Sequence, residues 1–210
     1  MKIGIIDLGI NNLSSVSRAF SLAKDSSDEI KIVSTQENEN FDLLVLPGLG
    51  KFGAGMKALN SQGLTQWITN SAKCETRIVG ICLGMQLLAS SSDESPSVEG
   101  LGLVAGHVTR LIPNEESKVP HMGWNEVFSS RENDFMDKLN AGGDYYFVHS
   151  YHLAPIDSEV VIGETQFGKQ NFTSAVLSEN ILGFQFHPEK SGNRGQALIS
   201  EVIKWARNEN

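Results

Sequence analysis

Two short stretches hold residue types that together do nucleophilic chemistry. In Arg77-Ile78-Val79-Gly80-Ile81-Cys82-Leu83-Gly84-Met85-Gln86-Leu87-Leu88 an apolar run ends at Gly80-x-Cys82-x-Gly84, and a helical pattern starts at once. That is the thiol form of a nucleophile elbow, in which the attacking atom sits on a sharp strand-to-helix turn. The two glycines are needed because side chains there would clash with neighbouring backbone. A helix N-terminus just after Cys82 favours negative charge and so the reactive thiolate. The amide of Leu83 is placed to donate to a developing oxyanion. A small buried hydrophobe is the plainer reading of a free cysteine, but it leaves the glycine bracket unexplained. Cys74 has no such setting and reads as structural.

A thiol nucleophile needs a base, usually a histidine aligned by a third group. Of His107, His121, His149, His152 and His187, only the last lies in a suitable context, Phe184-Gln185-Phe186-His187-Pro188-Glu189-Lys190. Pro188 pushes His187 towards an extended conformation. In an extended chain residues i and i+2 point the same way, which sets Glu189 beside the imidazole, with Phe184 and Phe186 as an apolar wall. Taken alone, these residues are equally a strand-end histidine near an unrelated surface glutamate; the thiol elbow favours the first reading. No metal or cofactor is expected. His149 and His152 are three apart on what reads as one strand and so face opposite sides, and neither an HExxH pattern nor a cysteine pair occurs.

Upstream, Leu43-Leu44-Val45-Leu46-Pro47-Gly48-Leu49-Gly50-Lys51-Phe52-Gly53 is an apolar strand running into a Pro-Gly-x-Gly turn. In a doubly wound sheet, loops at strand C-terminal ends gather around the active site. Glycines there let a backbone amide, with that of Leu49 the candidate, approach a substrate as second oxyanion donor. A plain turn is the alternative, since Pro-Gly is ordinary turn chemistry. As a phosphate loop the segment is weak, because GxxxxGK[ST] is absent.

The elements that must hold these residues follow from hydrophobic patterning. Ile3–Ile6, Ile30–Val33, Leu43–Leu46 and Ile78–Ile81 read as strands buried on both faces, with helical spacing over Leu13–Ala23 and Met85–Ser90. That alternation implies a parallel sheet with helices on both sides. The second half reads as strands joined by short turns, several antiparallel: His107–Ile112, Tyr145–Leu153, Val160–Thr165 and Thr173–Phe186. An amphipathic helix, Gly195–Arg207, closes the chain with Ala197, Leu198, Ile199, Val202, Ile203 and Trp205 as its buried positions. Ser90–Glu99 and Asn114–Ser117 are polar and read as loops. With no internal repeat and no linker, residues 1–210 are expected to form a single α/β domain on a mixed, mostly parallel sheet flanked by helices.

Composition removes whole classes of function. A hydrophobic content of 40% and a charged content of 20% are those of an ordinary soluble protein. Lys and Arg total 17 against 25 Asp and Glu, a net charge of -8, whereas a nucleic-acid binder needs a basic face to displace counterions. No apolar run is long enough to span a bilayer. Met1–Asp7 opens into a strand without the n-region and cleavage site of a signal peptide. The two cysteines make no disulfide framework. A cytoplasmic location is expected, with neither nucleic acid nor membrane as partner.

Together these stretches resemble the class I, triad-type glutamine amidotransferases, and more narrowly the glutaminase subunits of imidazole glycerol phosphate synthase, nearly end to end. Pro47-Gly48-Leu49-Gly50, Gly80-Ile81-Cys82-Leu83-Gly84-Met85-Gln86 and Gly100-Leu101-Gly102-Leu103 occur in family order. So do Val119-Pro120-His121-Met122-Gly123-Trp124-Asn125, Tyr146-Phe147-Val148-His149-Ser150-Tyr151 and Phe186-His187-Pro188-Glu189-Lys190-Ser191-Gly192. The resemblance implies a flavodoxin-like fold and a Cys82–His187–Glu189 triad that hydrolyses glutamine. It implies that Gly50, Gln86, Glu94, Ser150 and Tyr151 hold the glutamine, with the Leu49 and Leu83 amides as oxyanion donors. It also implies that Met122, Trp124, Tyr146 and Lys190 face a barrel-shaped cyclase subunit, in a heterodimer that channels ammonia into histidine biosynthesis. A paralogue supplying ammonia to a surface-sugar amidotransferase shares every catalytic residue, and a non-catalytic binding subunit shares the fold, though it would be expected to have lost Cys82 or His187. Read for structure alone, Trp124 and Tyr146 are amphipathic core aromatics. The chain departs from the family's usual Asp-Tyr-Gly-x-Gly-Asn-Leu at Asp7-Leu8-Gly9-Ile10-Asn11-Asn12-Leu13. Leu49 and Lys51 stand where valine and a small or neutral residue are usual.

Overall fold

Four apolar runs of the first half are strands in the computed structural model, which describes residues 1–9, 13–115, 117–130 and 143–208. Ile10, Asn11 and Asn12, of which Asn11 is the one that departs from the family pattern, lie outside the described residues. The strands β1 (Lys2–Ile6), β2 (Glu29–Val33), β3 (Leu43–Gly48) and β4 (Arg77–Cys82) pair in parallel in the order β2-β1-β3-β4. Helices α1 (Leu13–Ala23), α2 (Phe52–Ser61), α3 (Leu64–Lys73), α4 (Leu83–Leu87) and α5 (Gly192–Ala206) cover them. Because strand side chains alternate between faces, Ile3, Ile5, Leu43, Val45, Val79 and Ile81 join one core with Val16 and Phe20 of α1 and Leu198 and Val202 of α5. Ile6, Leu44, Leu46 and Ile78 join the other with Met56, Ile68 and Leu87 from α2, α3 and α4. Leu8, at the departing tyrosine position, is buried in that second core. Burial on both faces fails for β2, where Val33 alone is buried, because β2 is the edge of the sheet and turns Glu29 to water.

The second half supplies β5 (Ser91–Ser92), β6 (Gly106–Arg110), β7 (His121–Ser129), β8 (Gly143–His149), β9 (Tyr151–Pro155), β10 (Val161–Phe167), β11 (Gln170–Ser178) and β12 (Ile181–Phe184). The large sheet runs β2-β1-β3-β4-β12-β11-β10-β7-β8, parallel as far as β12 and antiparallel beyond it. A second sheet is β5-β6-β9.

Several expectations need correction. The single strand over Tyr145–Leu153 is two, because at Ser150 the chain leaves β8 in the large sheet for β9 in the small one. His149 and His152 therefore do not face opposite sides: both rings lie against Phe172, at 5.0 and 5.6 Å. The run Thr173–Phe186 is a hairpin turning at Glu179 (φ 52) and Asn180, whose Nδ2 donates to the Ala72 and Thr76 carbonyls at 2.9 and 2.8 Å. The helix expected over Met85–Ser90 starts earlier and ends at Leu87. On α5 the buried stripe takes in Gly195 and Ala206, while Ala197 is exposed and Trp205 is half-buried beneath the Arg77 guanidinium. Helices α2 and α3 and strand β7 have no counterpart in the sequence reading. Two glycines inside α2 lower its intrinsic propensity, and α3 is mostly polar, burying Leu64 and Ile68.

Candidate active site

Cys82 ends β4 and caps α4 at φ 55, ψ -110. A side-chain-bearing residue held there costs roughly 1–3 kcal/mol and persists only where its surroundings dictate it. Here they do. β4 is paired on both sides, by β3 and β12, with Gly48 directly opposite Cys82. The flanking glycines are steric necessities: a Cβ on Gly80 would meet Gly84 C and Met85 N at 2.7 Å, and one on Gly84 would meet the Leu46 carbonyl oxygen at 1.7 Å. The helix that follows has only five residues, so any dipole effect is confined to its first-turn amides. That of Leu83 is among the amides with no partner inside the helix.

His187 is buried and extended (φ -106, ψ 93), and it caps the short 3-10 turn Pro188–Lys190. Its Nδ1 lies 2.8 Å from Glu189 Oε1, and both side chains are almost fully enclosed. The tight turn makes this pairing, rather than the extended i, i+2 geometry expected. The ring is fixed from behind: the His187 amide donates to the Tyr146 carbonyl at 2.8 Å, and Ser191 Oγ donates to the His187 carbonyl at 2.6 Å. Burial pulls the His187 pKa down, but the neighbouring Cys82 thiolate and Glu189 carboxylate outweigh it and hold the pKa at about 10. Nε2 has no hydrogen-bond partner within reach. The Cys82 sulfur is nonetheless near enough to raise the ring's pKa, by its charge and as a distant acceptor.

Above Cys82 lies an open cavity of about 170 Å³. Its wall contains Leu49 and Gly50 from the glycine loop, Leu83 and Gln86 from α4, Glu94, and Ser150 and Tyr151 from the break between β8 and β9. Every residue expected to hold a substrate or stabilise an oxyanion thus borders the same space as the thiol. Gly50 has φ 110 with no atom within 4 Å of a would-be Cβ, so glycine is needed there for backbone conformation rather than for space. Glu94 also serves the fold, because its Oε2 accepts from the Phe52 amide at 2.7 Å and caps α2. His187 and Glu189 border a smaller adjoining cavity that shares Leu49.

Sequence reasoning missed Gln185. It is wholly buried, with Nε2 3.8 Å from Cys82 Sγ. The signal was present, since an amide inside the apolar run Ile181-Leu182-Gly183-Phe184-Gln185-Phe186 must find partners. Among the described residues no group of three or more His, Cys, Asp or Glu is arranged to hold a metal ion.

Met122 and Trp124 project from β7 with 62% and 57% exposure, which overturns the core reading of Trp124. Tyr146 stands directly opposite Trp124 on β8, their rings edge-to-face at 6.2 Å. The Lys190 ammonium lies over the Tyr146 ring at 5.6 Å. These four residues form one surface, and the Tyr146 ring is 6.5 Å from that of His187.

A family model described as glutamine amidotransferase class-I matches residues 5–205. A curated relative from Thermotoga maritima, imidazole glycerol phosphate synthase subunit HisH, is 41% identical over 206 residues, covering 97% of each chain. Its namesake from Pyrococcus furiosus is 40% identical over 198 residues, covering 94% of this chain and 96% of its own. A crystal structure of a glutamine amidotransferase superposes with a TM-score of 0.76 over 98% of both chains at 18% identity, a likeness of fold.

Proposed function

Because the chain belongs to the class I glutamine amidotransferase family, we propose that it is the glutaminase subunit of an imidazole glycerol phosphate synthase, with Cys82, His187 and Glu189 as its triad. The observation that carries this reading is one cavity lined by the strained Cys82 together with Leu49, Leu83 and Gln86. Cys82 Sγ attacks the side-chain carbonyl carbon of glutamine, and the oxyanion forms towards the Leu49 and Leu83 amides. His187, protonated at neutral pH, gives its Nε2 proton to the departing nitrogen, which leaves as ammonia. The neutral ring then takes a proton from water, whose oxygen attacks the thioester. The tetrahedral intermediate collapses to glutamate, whose carboxyl proton goes to solvent, and restores the Cys82 thiolate beside a protonated His187. Glu189 accepts from Nδ1 throughout and keeps Nε2 aimed at the reaction. Gly50, Glu94, Ser150 and Tyr151 hold the substrate.

Residues 1–210 act as one amidotransferase domain, and the acceptor chemistry resides in a cyclase subunit docked on Met122, Trp124, Tyr146 and Lys190. No helix among the described residues is long and apolar enough to cross a membrane. Glycines on both sides of Leu49 leave that peptide free to rotate. A missing oxyanion donor typically costs about a hundredfold to a thousandfold in rate, so hydrolysis waits on docking. The test is glutamate release by the chain alone, with the cyclase subunit, and with that subunit plus its nucleotide ligand. A steep rise is expected at the last step, lost in Trp124→Ala or Lys190→Ala. Full activity in the isolated chain would refute the gating, and no hydrolysis under any condition would refute the assignment. An electrophilic glutamine analogue should add its mass at Cys82.

A further inference from the structure

We propose that Gln185 donates a hydrogen bond to the Cys82 sulfur, aimed there by a chain of hydrogen bonds that starts at the half-buried Asn125 on β7 and runs inward. What the sulfur then does rests on the glutaminase reading; the chain itself does not. Asn125 is oriented from two sides: its Oδ1 accepts from the Glu126 amide at 2.8 Å, and its Nδ2 donates to the Gln166 carbonyl at 2.9 Å. The same Nδ2 lies 3.1 Å from His121 Nε2, which must therefore be the bare, accepting nitrogen of its ring. The His121 proton is then on Nδ1, 2.9 Å from His149 Nε2. That nitrogen accepts in turn, so the His149 proton is on Nδ1, 2.9 Å from the Tyr151 carbonyl oxygen. A carbonyl oxygen only accepts, so the two ends of the chain demand the same tautomers. Both rings are neutral, because burial depresses their pKa values to about 4 for His121 and about 3 for His149.

From Tyr151 the order continues to the nucleophile. Its carbonyl oxygen takes a second bond from Gln86 Nε2 at 2.7 Å, which fixes the Gln86 amide. Gln86 Nε2 also donates to Gln185 Oε1 at 3.1 Å. With its oxygen engaged, Gln185 has only its NH2 group to offer the sulfur, at 3.8 Å. Reversing any one of these groups would bring donor against donor or acceptor against acceptor. The His121–His149, Gln86–Gln185 and Gln185–Cys82 contacts are buried, where such a mismatch is expensive. A donor held this way favours thiolate over thiol and stops the sulfur from turning away from the cavity. His121 and His149 are positioning residues in this scheme, acting on Cys82 only through Tyr151, Gln86 and Gln185.

The test uses the full chain carrying Cys74→Ala, since Cys74 is exposed and would react as well. Iodoacetamide reaches Cys82 through the cavity, so its alkylation rate followed against pH reports the thiolate without glutamine or partner. Gln185→Leu keeps the bulk but removes the donor. It is expected to raise the pH midpoint of alkylation by about one unit, a roughly tenfold loss on its rising limb and the scale of a hydrogen bond to a charged group. Gln185→Glu keeps an acceptor for Gln86 but sets a negative charge by the sulfur, and should slow it further. A folded Gln185→Leu protein alkylated with the parent's pH profile would overturn the proposal. Nitrogen-15 NMR of the parent gives a second reading that requires no mutant to fold. His121 and His149 should both appear as neutral rings protonated on Nδ1, and an Nε2-protonated form of either would break the chain. Absence of glutamine hydrolysis, by contrast, would overturn the functional assignment and leave these two results standing.

Discussion

His187 carries two opposed demands, and their balance sets the pH behaviour of the site. Burial favours the neutral ring, but the adjacent Cys82 and Glu189 charges raise its pKa from 6.5 to about 10. The folded state therefore binds this proton more tightly than the unfolded chain does. The stability it confers is complete below pH 6.5 and is lost as the pH rises through about 10. Turnover should follow the same group, with an alkaline limb near pH 10 in the rate of glutamate release, because a neutral His187 has no proton for the leaving nitrogen. A rate still rising beyond that pH would assign the proton donor elsewhere. His187→Asn should lose nearly as much activity as Cys82→Ala, and Glu189→Gln less. In the double variant lacking Cys82 and His187 the losses should not multiply, since the two residues act as one unit.

At the scale of elements, the elbow is a contact between backbones, which makes its glycines the least replaceable residues of the site. Gly84→Ala would drive a Cβ to 1.7 Å from the Leu46 carbonyl oxygen, and neither partner is a side chain able to rotate away. Such overpacking costs roughly 1–3 kcal/mol or more, which lowers the melting temperature of a chain this size by about 2–12 °C. A calorimetric midpoint unchanged from the parent would show that α4 is not pressed onto β3 as described. This element was legible in the sequence because its signal is local: strand, glycine bracket and helix start within a dozen residues. The break at Ser150 was not, since the neighbouring strands decide where the chain leaves a sheet. The turn at Glu179 and Asn180 did leave a local signal, the polar run Ser178-Glu179-Asn180 between apolar stretches. The structure-alone reading of Trp124 as a core aromatic fails for a reason related to Ser150, because amphipathic strands do not say which face a further element will cover. The family resemblance puts it on the surface, where it is. Gln185 and the His121–His149 pair lay further out of reach. Their partners come from β7, β8, β9 and α4, which are brought together only by the tertiary fold.

For the whole molecule, the sheet gathers the C-terminal ends of β3 and β4 and the segment just past β12 into one site, while its far antiparallel end presents the exposed face of β7 and β8. Tyr146 lies between these regions, within 6.5 Å of the His187 ring and edge-on to Trp124. The proposed docking face and the thiol site thus lie close together, with little structure between them. The central claim is that glutamine is cleaved by Cys82 and by no other nucleophile. The measurement that tests it most directly is glutamate release by the parent chain and by Cys82→Ala, each saturated with the cyclase subunit and its nucleotide ligand. The account predicts at least a roughly thousandfold loss for Cys82→Ala, because the attacking atom is gone, and an unchanged rate for Cys74→Ala. A folded Cys82→Ala protein that releases glutamate at close to the parent rate would contradict it.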